Sequence, residues 1–256
     1  MTSTDEPAGP RRQRSNGTLA VLAGLSVLLT ATLVGLGVWQ LERRAWKLDL
    51  IARVEQRIRA APIAPPGPGA WAGINAERDA YRRVRVTGIF DGDNETFVQA
   101  VTEQGPGFWV LTPLRTDTGF TVLVNRGFVP PEQRGQAARA MDRNSGPASI
   151  VGLLRISEPH GGFLRTNDPT AGRWYSRDVQ AIARAQGLSN IAPYFIDADA
   201  TPNPGGWPLG GLTVVRFRNS HLVYAFTWFG LSLMAAGAGV YLLVDERRFR
   251  RAVLEA

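Results

Sequence analysis

Two stretches without a charged side chain, residues 18–41 and 219–244, stand at opposite ends of the 256-residue chain. A bilayer core about 30 Å thick asks for roughly 20 consecutive apolar residues of helix, and both runs exceed that. The 177 residues between them hold most of the charge and turn chemistry. A chain of this pattern is expected to be a hairpin through a membrane, with a folded domain between its two stems. The first run is longer than the 7–15 residues, roughly, of a signal-peptide core, and no small-x-small cleavage site precedes the polar flank. It is expected to remain as an anchor. Arg11-Arg12 lacks the apolar continuation of a twin-arginine export signal.

Orientation is less sharply written than topology. Three arginines precede the first run and four follow the second, while Arg43, Arg44, Lys47, Arg53, Arg216 and Arg218 lie close to the runs on the domain side. The positive-inside count is nearly tied, but long loops cross largely regardless of charge, so the short flanks weigh more. Both termini are therefore expected in the cytoplasm of a bacterial inner membrane, with the central domain periplasmic. With no cysteine, disulfides, thiolate metal sites and covalent CxxCH haem attachment are excluded. The net charge of +7 does not point to nucleic acid, because residues 42–218 mix 22 basic with 17 acidic side chains. Such a surface suits solvent and anionic lipid headgroups.

The fold class expected is a membrane protein in which two transmembrane α-helices flank a mainly β domain, an antiparallel sandwich or partial barrel. In order, the chain reads as a cytoplasmic tail (1–17), a first span (18–41), an amphipathic helical extension (42–60), a proline-rich linker (61–70), a β-rich domain (71–218), a second span (219–244) and a second tail (245–256). Trp46, Leu50, Val54 and Ile58 recur every four residues, and Asp49/Arg53 and Glu55/Arg59 are opposite charges at i,i+4, which carries the first helix to about Arg59. APIAPPGPG then stops it and is expected to run as an extended linker, since each proline removes a donor and biases its predecessor away from helix.

Beyond the linker, YRRVRVTGIF and ETFVQA alternate around a DGDN turn, and FWVLTPL and FTVLVNRGFV flank the turn at 116–119. SIVGLLRI, PYFID and LTVVRF supply three more strands. Ser176 is expected to cap a helix over RDVQAIARAQ, closed by Gly187.

Several apparent motifs have plainer explanations. Gly205-Gly206 and Gly210-Gly211 lack the Lys-Ser/Thr of a phosphate loop. DGDNE lacks the later glycine and glutamate of a calcium loop, and a hairpin turn explains it. His160-Gly161-Gly162 resembles an esterase oxyanion loop, but no serine sits in GxSxG. Two histidines without cysteine exclude a multi-histidine metal site and a Cys-His pair.

His221, opening the second run, carries two readings. It is either an interfacial histidine bonded to a headgroup or carbonyl, with Tyr224 and Trp228 forming an aromatic belt, or a ligand. On a helix Tyr224, Ala225 and Trp228 share its face, and a small residue between flat aromatics beneath an imidazole can take a planar macrocycle whose iron is bound by nitrogen. Trp39-Gln40 could face the same site. The plainer reading is an interfacial anchor and a bond to the neighbouring helix.

Five segments together, GVWQLERRAWK (37–47), YRRVRVTGIFD (81–91), LTPLRTDTGFTVLVNRGFVP (111–130), RWYSRDV (173–179) and FRNSHLVYAFTWF (217–229), closely resemble the Surfeit-locus family of cytochrome c oxidase assembly factors. The resemblance runs from about Leu36 to Leu243. It implies two spans, a domain on the periplasmic or intermembrane side, no enzymatic activity of its own, and a role in holding or delivering haem a while the oxidase core subunit is assembled. The implied partners are that core subunit, the haem a synthesis machinery and the lipid bilayer. The family's haem-ligating histidine corresponds to His221, which would be the metal ligand, beside Tyr224 and Trp228. The porphyrin carboxylates would then meet the nearest basic groups, Arg43, Arg44, Arg216 and Arg218. Two other classes stay open: a structural chaperone of oxidase subunits that binds no haem, and a maturase acting on haem. No acid/base constellation in the sequence supports the maturase.

Overall fold

The computed structural model describes residues 13–135, 146–162, 164–213, 215, 217 and 219–255. In chain order the elements are helix α1 (Asn16–Arg59), a helical turn α2 (Ala76–Asp79), strands β1 (Arg83–Phe90), β2 (Thr96–Thr102), β3 (Gly105–Thr116), β4 (Thr121–Val129) and β5 (Ala148–Ile156), helix α3 (Val179–Gln186), strand β6 (Ile191–Ala198) and helix α4 (His221–Leu254). They fall into two compact units, one built from the chain ends (Met1–Ile51 with Phe217–Ala256), the other from Ala52–Arg216.

In the unit of the ends, α1 starts where the Thr18 amide donates to the Ser15 hydroxyl, 3.1 Å away, a side-chain cap on an otherwise orphaned donor. α1 and α4 are both long and apolar enough to cross a membrane. Their antiparallel register is fixed at several levels. The Ser26 hydroxyl donates to the Ala235 carbonyl at 3.1 Å, and a Cβ on Gly37 would fall 2.5 Å from the Phe229 ring. At the far end the buried Glu246 carboxylate accepts from Arg250 Nε at 3.1 Å and from the Arg14 amide at 3.2 Å. Arg250 also donates to Asn16 Oδ1 and to the Arg14 carbonyl. This staple gives the basic tail something to pack on, so α4 continues well past residue 244.

The second unit begins within α1, where Val54 of the four-residue apolar repeat is buried and Glu55 and Arg59 pair at 3.8 Å on the exposed side. The proline-rich stretch then docks. Ile63 bridges in parallel to Val84 of β1, and the Pro66 carbonyl accepts from Trp71 Nε1 at 3.1 Å and from the Tyr194 hydroxyl at 2.6 Å. From Pro68 to Gly73 the chain is a 3-10 helix rather than extended.

Five strands close into a barrel in the order β1-β5-β6-β4-β3 and back to β1, and β2 extends the wall along β3. Twelve residues long, β3 serves two neighbours on one edge, pairing with β2 over its first part and with β1 through Leu114–Thr116. Closure brings β1 so near that a Cβ on Gly88 would lie 2.1 Å from the Arg115 carbonyl oxygen. Alternation then sorts the apolar side chains. Val84, Leu114, Val122, Val124, Tyr194 and Ile196 fill the barrel. On the outer face Leu111, Leu123 and Phe195 meet Val179 and Ile182 of α3. Every residue of β4 is buried, so TVLVNRGFV is apolar on both faces except at Thr121, Asn125 and Arg126.

Four expectations need correction. The β domain is a closed barrel, and it is not wholly antiparallel, because β4 and β6 run parallel. β1 and β2 are not a hairpin; DGDN is a 3-10 turn (Gly92–Asn94) that steps the chain along the same edge of β3. The described residues of LTVVRF are not in a strand, since the barrel closes without them. Asp178, not Ser176, caps α3, accepting from the Ala181 amide at 3.1 Å. The Ser176 hydroxyl accepts instead from Gly161 N and Asn167 Nδ2, holding the 161–176 loop.

Candidate functional site

His221 is the first residue of α4. Its Nδ1 lies 2.8 Å from Oε1 of Gln40 on α1. Gln40 is only 9% exposed, although neighbouring Trp39 is 54% exposed. Gln40 therefore faces α4 as the sequence suggested, and its partner there is the imidazole itself. Among the described residues the other ring nitrogen, Nε2, has no hydrogen-bond partner.

Not every residue expected on the His221 face shares its surroundings. Ala225, one turn on, is 1% exposed and lies on the side of α4 that meets α1, so the space beneath the imidazole is closed at that point. Tyr224 is 54% exposed on the outer flank. Trp228 is half-buried, and its indole N–H is buried without an acceptor among the described residues. Asn219 Oδ1, two residues before His221, is likewise buried and unpartnered. One donor and one acceptor thus stand unmet around the helix start. On α1 the Arg43 guanidinium stacks 4.0 Å from the centroid of Trp46, whereas Arg44, one turn beyond Gln40, is half-buried. Arg216 and Arg218 lie outside the described residues.

The barrel carries a second concentration of polar groups that the sequence reading missed. Asp197 at the end of β6 accepts from Asn125 Nδ2 at 2.7 Å, Arg155 Nη1 at 2.7 Å and Arg177 Nη1 at 3.1 Å, while Arg177 also grips Glu158. Two cations meet two anions, so the cluster is balanced. Burial works against the Arg177 charge, but Glu158 and Asp197 together raise its pKa. The cluster borders a cleft of about 610 Å³ that Trp109 also lines. Nearby, Arg126 Nη1 donates to Glu95 Oε1 at 3.0 Å, both side chains almost wholly buried. Burial raises the Glu95 carboxyl and lowers the Arg126 guanidinium, each only partly offset by the other. The Asp of PYFID and the Asn-Arg of VLVNRG, polar residues inside apolar strands, were the available signal. His160 sits at positive φ in a loop turn whose Gly161 amide donates to Ser176, away from any serine nucleophile motif.

Comparison with known proteins finds relatives over most of the chain. The profile of the SURF1 family matches residues 27–233. Human Surfeit locus protein 1 is 37% identical over 223 residues, covering 80% of this chain and 72% of that protein. Surfeit locus protein 1 of Xenopus tropicalis is 34% identical over 247 residues, covering 90% of this chain and 78% of the relative. A SURF1-like protein of Monosiga brevicollis is 38% identical over 223 residues, covering 81% and 82%.

Proposed function

The chain belongs to the SURF1 family, and from that premise we propose that it is an assembly factor for aa3-type cytochrome c oxidase that binds haem a through His221 and helps deliver it to the oxidase core subunit. In this reading α1 and α4 span the bacterial inner membrane, both termini are cytoplasmic, and the barrel is periplasmic. The observation that carries the reading is the state of the imidazole: one nitrogen is occupied by Gln40 and the other has no partner among the described residues. Haem a is the cargo, and it brings an iron that accepts an imidazole nitrogen and two carboxylates that need polar company. The local chemistry fits such a guest, since the Trp228 N–H is a donor without an acceptor among the described residues and Arg44 lies one helical turn from Gln40. Because Ala225 closes the space toward α1, the cargo would be received on the open flank of α4, beside Tyr224. A lone protein ligand in an open site favours release over retention, as a carrier requires.

The physiological test is complementation. In a strain lacking the gene, the wild-type chain is expected to restore the haem a content of the oxidase, and His221→Ala to restore markedly less at equal protein level. Full restoration by His221→Ala removes haem delivery through His221 and leaves the reading of a chaperone that holds oxidase subunits without binding pigment.

A further inference from the structure

We propose that Gln40 is a positioning residue for His221: its side-chain oxygen accepts a hydrogen bond from Nδ1–H and thereby presents Nε2 as a bare lone pair before any cargo arrives. The inference rests on the reading of His221 as an iron ligand, but its first test does not. A neutral imidazole has one protonated and one unprotonated nitrogen, and whichever atom the partner engages decides which is which. The Nδ1 to Oε1 distance of 2.8 Å is a full hydrogen bond. With an amide oxygen as acceptor, the proton sits on Nδ1 and the nitrogen able to donate to a metal is Nε2.

The placement is built into the helix pair. Gly37 lies three residues before Gln40, and its missing Cβ lets the Phe229 ring come against α1. Ala225, buried between His221 and Phe229 along α4, keeps that approach close. Two small residues thus set a spacing at which the glutamine reaches the imidazole, and the enclosure of Gln40 strengthens the bond relative to water. Partners of this kind fix the tautomer and orientation of metal-binding histidines. A carboxamide also differs from the carboxylate often found in that role. It orients the ring without pulling the proton away, so the imidazole stays an ordinary donor and a bond from it to iron would stay exchangeable.

The chain holds only two histidines, which makes the test direct. Nitrogen-15 NMR of full-length, haem-free protein labelled at histidine, with a His160→Gln variant for assignment, reads the protonation of each His221 nitrogen at a pH where the ring is neutral. The wild type is expected to be protonated on Nδ1, Gln40→Glu to keep that tautomer, and Gln40→Leu to shift the tautomer ratio toward Nε2–H by roughly threefold to tenfold, the worth of one hydrogen bond. A wild-type ring protonated on Nε2, or a ratio unmoved by Gln40→Leu, overturns the proposal whatever His221 binds. In haem-loaded ferrous protein, the iron–imidazole stretching frequency is expected to fall in Gln40→Leu and rise in Gln40→Glu. Equal frequencies in all three proteins overturn it too, because a packing role does not move the two variants in opposite directions. If instead His221→Ala retains its pigment, the failure belongs to the haem reading, and the tautomer measurement still stands or falls alone.

Discussion

A glutamine faces a histidine and a glutamate faces an arginine in this chain, and each pair sits where an unpaired member would be costly. Glu95 and Arg126 are buried together, and Thr112 and Asn203 supply further hydrogen bonds. Removing one charge leaves the other uncompensated in the same enclosure. Glu95→Gln is therefore expected to destabilise the barrel by about 3–5 kcal/mol, whereas Glu95→Gln combined with Arg126→Met should recover much of the loss. Chemical denaturation of the full chain in detergent, followed by tryptophan fluorescence, measures both. A single variant as stable as wild type would mean that water reaches the pair. Which buried carboxylate meets which guanidinium was not legible in the sequence, because Glu95 and Arg126 are brought together only by the pairing of β3 with β2 and β4. The helix-to-helix contact of Gln40, in contrast, was legible, since a polar side chain in an apolar helix calls for a partner on its neighbour.

At the scale of the element, local rules succeeded where the partners are local. The extent of α1, the β3–β4 hairpin and the closure of α3 by Gly187 follow from periodicity, turn residues and capping within a few positions. What failed depended on distant neighbours. β1 and β2 look like a hairpin until the length of β3 is known, and the run at 212–217 alternates like a strand although the barrel closes without it. The α2 turn shows how a short element survives. Asn75 caps it by accepting from the Arg78 amide, and the buried Asp79 accepts from the Asn75 amide at 3.1 Å and from Arg82 at 2.7 Å. Burial alone would raise the Asp79 carboxyl, but those two donors and the Arg78 charge outweigh it and hold it below the ordinary range. Because the folded pKa is depressed, the stabilisation is fully present above the unfolded value of about 3.9 and is lost as pH falls through the folded value. Asp79→Asn should thus be less stable than wild type near neutrality, with the difference vanishing under strong acid. A pH series of thermal midpoints tests this, and a constant gap across the series would argue against the charge pairing.

For the molecule as a whole, two apolar helices bracket a barrel held by packing and buried ion pairs, and no disulfide is available to reinforce it. The absence of native cysteine makes topology easy to test. A cysteine at Val101, 85% exposed on the barrel, should react with a membrane-impermeant maleimide in intact spheroplasts. One at Leu254, 86% exposed at the end of α4, should react only after permeabilisation, and the reverse pattern would invert the proposed orientation. The central claim, that His221 holds haem a, is tested most directly by the visible absorption of the full-length protein purified in detergent from cells that make haem a. Wild type is expected to carry the pigment and His221→Ala to lose most of it while remaining folded; equal pigment in the two proteins would contradict the account.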